Sequence, residues 1–337
     1  MTQVAENFIG IDISKLTIDV ALIAEGRRDQ ILFAQFPKDK TGLRKFIKWL
    51  ATCKVPVDGR TVCCMEHTGL YSRNLLAFLS DYSMVLWVEM AHHIKHSLGL
   101  QRGKSDKIDA RRIALFAYKN RDDIKAFQPM EKDLEQLKDL LAQRERLLQA
   151  KIKLSVGIKE LQEEGFKEQA RTLEQLQKPA LQGLERSIKR VEQAIRTLIT
   201  ENEGVKRKVT CLTSVPGIGE VTAWYFLVYT NGFNRLHSGK QLACYAGVAP
   251  FMHESGKSIR GKTRVSHMAN KKLKALLHLG AMAAIRCDEQ FKTYCKRKQL
   301  EGKNKMSILN AVRNKLVLRI AAVIRDDKQY IRMGHAA

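Results

Sequence analysis

Over residues 7–129, short apolar runs alternate with helical patterns, and this alternation narrows the fold more than any other feature of the chain. FIGID (Phe8–Asp12) reads as a strand that ends in an acid. TIDVALI (Thr17–Ile23) and ILFAQF (Ile31–Phe36) follow it, separated by the polar turns SKL and EGRRD. Strands joined this closely pair as an antiparallel meander. Leu43, Phe46, Ile47 and Leu50 stand at helical spacing and predict a helix over Thr41–Thr52. TVCCME (Thr61–Glu66) is a fourth strand, again ending in an acid. Tyr71–Leu79 reads as a helix, MVLWVE (Met84–Glu89) as a fifth strand, and Ser105–Lys119 as a helix with Ile113, Phe116 and Ala117 on one side. The order β-β-β-α-β-α-β-α predicts an α/β layered domain over residues 1–129.

Residues 130–205 change character and become rich in Lys, Glu, Gln and Leu. Leu134, Leu141 and Leu148 recur at seven, as do Leu140, Leu147, Leu154 and Leu161, while Leu184, Ile188, Val191, Ile195 and Leu198 step 4-3-4-3. This heptad spacing predicts two helices, broken near Gly165 or at Pro179, that form a helical hairpin or coiled coil; an ordinary helical bundle is the alternative. Exposed seams of this kind favour self-association. Residues 206–337 form a third, mostly α region. Its PGIG turn (Pro216–Gly219) resembles a helix-hairpin-helix element, where Gly217 and Gly219 would let backbone N–H groups approach a phosphate. A plain turn between helices is the alternative. A loop from Pro250 to Val265 is expected next, then helices around Lys271–Arg286 and Met306–Arg325.

Charge selects the partner class. The 337 residues hold 59 Lys and Arg against 35 Asp and Glu, a formal net charge of +24. Such a chain expects a polyanion, nucleic acid or an anionic membrane surface. No apolar run approaches the roughly 18 residues of a spanning helix, and MTQVAENFIGID does not read as a secretory signal. Nucleic acid and a cytoplasmic, nucleoid-associated setting are therefore favoured. The excess is uneven: residues 251–337 carry 20 basic and 6 acidic side chains, so phosphate contacts should concentrate there. The seven cysteines are odd in number and form no CxxC pair, which indicates reduced thiols, mostly in the core, and no zinc site.

The acids suggest chemistry. Asp12 and Glu66 each end an apolar strand; if those strands are neighbours, both carboxylates emerge at one edge of the sheet. Asp106 and Asp109, three apart at a helix start, share a face. Four converging carboxylates repel one another, and two divalent cations would relieve that. Hard oxygen ligands suit Mg²⁺ or Mn²⁺, and a metal pair can stabilise both the entering and the leaving oxygen in phosphoryl transfer. Asp106 can equally be read as a helix cap. Asp19 is a rival ligand whose face depends on the turn before it.

The runs IGIDISK, MEHTGLY, KSDKIDARRIA, VPGIGEVTA and HESGKSIRG, in this order, resemble the 110 family of insertion-sequence transposases, a group that includes the Piv-type DNA invertases. The similarity extends from Phe8 to about Val323. It implies a ribonuclease-H-like (RuvC-like) N-terminal domain with a DEDD quartet, falling on Asp12, Glu66, Asp106 and Asp109, joined by a coiled-coil segment to a C-terminal transposase domain. It further implies that Ser255, in the run ESG, is a nucleophile forming a transient phosphoserine link to DNA. By itself Ser255 reads as a loop serine, and Ser258 is a nearby alternative. Lys257, Arg260, Lys262 and Arg264 around it, and Lys271 and Lys272 beyond, would bind phosphates and stabilise transition-state charge; a solvated basic loop is the alternative. Thr68, Gly69 and Tyr71 match the family pattern and support the site. After the RG motif, Ser266-His267-Met268-Ala269-Asn270 departs from the Lys-x-Gly type turn of many relatives, which bears on a DNA-facing loop.

The resemblance thus implies an enzyme that cuts and rejoins donor and target DNA, works as a homo-oligomer (dimer or tetramer), and is guided by an element-encoded structured RNA. Two other functions are compatible with the residues alone. One is a nuclease of the Holliday-junction-resolvase kind, in which the quartet activates water. The other is a non-enzymatic nucleic-acid-binding protein whose acids only cap and solvate.

Overall fold

The computed structural model describes residues 5–97, 105–234, 236, 238–255 and 259–331, with the backbone alone at 253–255, 259, 260, 262 and 263. Residues 1–129 form one unit and 130–337 a second. The first contains β1 (Asn7–Ile13), β2 (Thr17–Ile23), β3 (Ile31–Pro37), α1 (Lys40–Thr52), β4 (Thr61–Glu66), α2 (Leu70–Leu79), β5 (Val85–Glu89), α3 (Ala91–Ser97) and α4 (Asp106–Lys119). Its five strands lie in the order β3-β2-β1-β4-β5. The meander β1-β2-β3 is antiparallel, as the short polar turns require. β4 and β5 join parallel to β1 and to each other, because α1 and α2 carry the chain back each time.

Side chains alternate across the sheet, so each face has its own core. Ile9, Ile11 and Ile13 pack with Leu43, Phe46 and Leu50 of α1 and Leu75 and Leu79 of α2. Phe8, Cys64 and Trp87 face the other way and pack with Ala110, Ile113, Ala114 and Ala117 of α4. The runs FIGID and TVCCME are apolar on both faces because both faces are covered. α3, which lacks an apolar periodicity of its own, was not expected; it buries Ile94 alone.

The second unit opens with a long hairpin, α5 (Lys132–Glu163) and α6 (Lys167–Glu201). The sequence allowed a break at Gly165 or at Pro179. The chain reverses at Gly165, which takes φ +87, and α6 continues through Pro179. Ion pairs Arg144–Glu192 (2.8 Å) and Lys151–Glu185 (2.6 Å) cross the hairpin. Next come α7 (Glu203–Thr213), α8 (Glu220–Thr230), α9 (Gly239–Tyr245), β6 (Pro250–Ser255), β7 (Ile259–Val265), α10 (Lys271–Cys287), α11 (Glu289–Leu300) and α12 (Lys305–Arg325). A single apolar cluster joins Leu134, Leu137 and Leu141 of α5 and Ile195 and Ile199 of α6 to Trp224 and Phe226 of α8 and Leu316 and Ile320 of α12.

The segment Pro250–Val265, expected as a loop, is an antiparallel β-hairpin with an irregularity between Phe251 and His253. Of the side chains described on it, Pro250, Phe251, Met252 and Arg264 are open to solvent, so no half-buried alternation marks this segment in the sequence. α9 and α11 were also missed; α9 is short and starts on a capping box, Ser238 with Gln241. All seven cysteines are free. Cys63, Cys64, Cys211 and Cys295 are buried, while Cys244 and Cys287 are exposed, so the expectation of core thiols holds for part of the set. Among the described residues, no helix is long and apolar enough to cross a membrane.

The shared core makes the hairpin and the C-terminal helices one cooperative body. Ile195→Ala is expected to cost about 3 kcal/mol. Hydrogen exchange, followed peptide by peptide, should then show α8 and α12 losing protection together with α6.

Candidate active site

The carboxylates of the first unit are positioned by strand register. β1 and β4 pair in parallel with Ile11 opposite Met65, one residue before Asp12 and Glu66 respectively. Both acids therefore reach the same end of neighbouring strands, on the face that α4 covers. Asp19 stands opposite Asp12 in the β1–β2 ladder and shares that face. Glu89 stands opposite Glu66 in β5.

The other two acids arrive on α4. Ser105, not Asp106, is its N-cap: the Ser105 hydroxyl accepts from the Ile108 N–H at 3.3 Å. Asp106 and Asp109 follow in the first turn, where negative charge suits the helix dipole. α4 comes close to the sheet only because residue 10 is glycine. A Cβ there would lie 2.2 Å from the Ala110 carbonyl oxygen and 2.2 Å from the Ala114 nitrogen. The glycine of IGID thus sets the distance between the acid of β1 and those of α4.

The electrostatics report that proximity. Burial, followed by the charges of Asp106, Asp109, Glu66 and Asp19, pushes the Asp12 carboxyl up to about 6. Burial and the Asp109 charge also raise Glu66. The acids oppose one another's ionisation, yet among the described residues no three His, Cys, Asp or Glu side chains form a group that could hold a metal ion. Asp109 is turned onto Arg112, whose Nη1 donates to it at 2.7 Å. Two observations still fit a divalent cation at this edge. The donors are hard carboxylate oxygens whose mutual repulsion a cation would relieve. The hydroxyl of Thr68, two residues beyond Glu66, is buried without a partner.

Two nearby acids lay outside the expected quartet. Asp19 accepts from Gln35 Nε2 at 3.1 Å on each carboxylate oxygen. Glu89 is buried and accepts from the Met90 N–H (2.9 Å) and Trp87 Nε1 (3.3 Å), with His93 Nδ1 at 2.9 Å. The rule that singled out Asp12 and Glu66, an acid closing an apolar strand, would have found Glu89 in MVLWVE as well. Asp19 needed the β1–β2 register, which the turn decides.

In the second unit, Ser255 is the last residue of β6, with its backbone opposite Ile259. Arg260 and Lys262 lie on β7 with only their backbones described, and Lys257 and Ser258 lie outside the described residues. Arg264 is exposed on β7, opposite Phe251, and Lys271 is exposed at the start of α10. Lys272 is engaged inside the unit, pairing with Glu145 at 2.5 Å and lying over the Tyr225 ring, so it ties α10 to α5. Gly217 (φ +84) is required by packing: a Cβ there would meet the Gly280 carbonyl oxygen of α10 at 2.2 Å. Gly219 is exposed at the start of α8, beside Glu220, which pairs with Arg196.

Comparison with known proteins gives these elements a class. Residues 9–166 match a family model of DEDD, IS110 type described as Transposase, and residues 209–296 match one described as Transposase IS116/IS110/IS902 family. The chain is an enzyme of the transposase and DNA invertase class, acting on DNA strands. It belongs to the IS110 transposase family, whose two models together span most of its length. It is 27% identical to the pilin gene-inverting protein of Moraxella bovis, over 98% of this chain and 99% of that one. The pilin gene-inverting protein of Moraxella lacunata is equally similar, 27% identical over the same shares. The insertion element IS110 uncharacterized 43.6 kDa protein of Streptomyces coelicolor is 33% identical over 35% of this chain and 29% of its own.

Two outcomes follow. Gly10→Ala should drive α4 off the sheet, destabilising the first unit by about 2 kcal/mol or more in thermal melts. The second concerns Asp12, whose pKa is raised by folding from 3.8 to about 6. The protonated form is thus favoured in the folded state. The stability this gives is complete below pH 4 and is lost as pH rises through 6. In EDTA, Asp12→Asn should therefore melt higher than the parent at pH 8, by roughly 2 kcal/mol after allowing for partial exposure. It should melt level with the parent at pH 4.

Proposed function

We propose that the chain cuts and rejoins DNA strands by two transesterifications, using a divalent-metal site on a ribonuclease-H-like (RuvC-like) unit and the hydroxyl of Ser255. The observation that carries this reading is the register that brings Asp12 and Glu66 to one end of neighbouring strands under α4, whose first turn holds Asp106 and Asp109; burial and these neighbouring charges together raise Asp12. The sheet order β3-β2-β1-β4-β5, antiparallel in its first three strands and parallel in the rest, supports the ribonuclease-H-like assignment.

Asp12, Glu66, Asp106 and Asp109 would hold Mg²⁺ or Mn²⁺. Such an ion, when bound, stabilises negative charge on the oxygens around a phosphorus under attack. Binding it would require Asp12 to ionise and Asp109 to turn from Arg112, whose Nη1 donates to it at 2.7 Å. In the cutting step the Ser255 hydroxyl bonds to phosphorus while the bond from phosphorus to the leaving DNA oxygen breaks. The serine proton passes to that oxygen. Rejoining is the reverse attack by a DNA hydroxyl on the phosphoserine, which restores the serine. Arg264 and Lys271, both exposed in the most basic part of the chain, would hold the flanking phosphates.

The near full-length similarity to the pilin gene-inverting proteins supports a reaction that rejoins what it cuts. Strand exchange needs several active sites and so a homo-oligomer, for which the partly exposed hairpin seam is available. A structured guide RNA held by shape and phosphates agrees with the net charge of +24.

The test is a covalent adduct. With Mg²⁺ and a nicked plasmid carrying the DNA that flanks the gene, the parent chain should become linked to DNA, and Ser255→Ala and Asp12→Asn should both abolish linkage and cutting. Undiminished cutting by Ser255→Ala, with no adduct from the parent, would replace this reading with a resolvase-like attack by water.

A further inference from the structure

Arg313, on α12, is 7% exposed. Its Nη2 bonds to Nδ1 of His278 on α10, and its Nε is buried without a partner. Among the described residues it has no ion pair with any carboxylate. A histidine that accepts from a guanidinium at Nδ1 is the neutral tautomer, with its proton on Nε2, so it cannot neutralise the arginine. Burial accordingly lowers the Arg313 pKa. A buried charge left in this condition is costly to the fold, and apolar replacements of buried ionic groups are often neutral or stabilising. Such a residue makes physical sense if an anion completes it.

The surroundings point to the kind of anion. On the same side of α12, Asn310 donates through Nδ2 to the Val248 carbonyl at 3.0 Å, and Val248 lies two residues before β6. The Oδ1 atoms of Asn310 and Asn314 are buried without partners. The two ends of an amide exchange by a half-turn, so Asn314 can offer an NH₂ in place of its oxygen. His278 and Asn314 are half-buried, so the cluster reaches the surface between α10 and α12. Towards the start of α10, Lys274 and Lys271 continue the stripe that His278 ends, at helical spacing. Neither lysine has an ion pair among the described residues. A Cβ on Gly247, next to Val248, would lie 3.6 Å from Lys274 Cδ, so this stem runs past the root of the β-hairpin.

We propose that Arg313 and His278, at the inner end of the Lys271–Lys274 stripe, form a phosphate site that takes the backbone of a nucleic-acid strand at the root of the β6–β7 hairpin. The guanidinium offers its planar fork to the phosphodiester oxygens and His278 adds its Nε2 proton. Lys274 and Lys271 follow the next phosphates. The site does not depend on Ser255 being the nucleophile; it needs only that a strand pass the hairpin.

Arg313→Met tests this in the full chain, with labelled single-stranded DNA and RNA oligonucleotides of the same sequence as probes. The free variant should melt no lower than the parent. Its affinity should fall about tenfold, and its salt slope should lose about one phosphate contact. The oligonucleotide that loses more affinity identifies the strand. Arg313→Lys keeps the charge without the fork, and it carries the test if the methionine variant does not fold: the salt slope should persist and affinity should drop several-fold. Unchanged affinity for both oligonucleotides, in whichever variant folds, would overturn the site. So would a methionine variant that melts lower than the parent and binds as tightly.

Discussion

The approach of α4 to β1 is the contact on which the first unit depends. Gly10 lets the backbones of Ala110 and Ala114 come so near the sheet that a single methyl group would be refused. That closeness seals one core, with Phe8, Cys64 and Trp87 under the alanines of α4. It also delivers Asp106 and Asp109 to the sheet end where Asp12 and Glu66 emerge. Packing and charge pull in opposite directions here. The tighter the helix lies, the better the apolar face is covered, and the more strongly the acids repel. Partial burial and that repulsion together raise Asp12 to about 6. Arg112 takes up part of the charge by donating to Asp109.

The second unit manages charge differently. Some of its cations are used internally: Lys272 binds Glu145 and Arg144 binds Glu192, holding the hairpin to itself and to α10. Others, such as Arg264 and Lys271, stay exposed, and Arg313 is buried with no ion pair among the described residues. The net charge alone cannot separate these roles, because a lysine looks the same in the sequence whether a glutamate meets it or not. Lys272 and Lys271 are neighbours in the chain and differ entirely in what they face.

What sequence could supply here was whatever repeats along the chain. Apolar runs of strand length, the polar turns between them and the helical periodicities determined nearly all the elements of the first unit and the long hairpin of the second, because local pattern reflects which faces must be buried. The acids closing FIGID and TVCCME were legible for the same reason: a charge at the end of a buried strand is conspicuous. The β6–β7 strands and the short α3 and α9 were not, since exposed or brief elements bury too little to leave a period. Tertiary structure decided the rest. Strand register put Asp19 and Glu89 beside the expected acids, and helix packing gave Gly10 and Gly217 their necessity. Spatial neighbours divided paired lysines from those with no ion pair among the described residues, and left Arg313 with no carboxylate partner there. Those outcomes depend on which surfaces meet, and distances between surfaces far apart in the chain are set only when the whole fold closes.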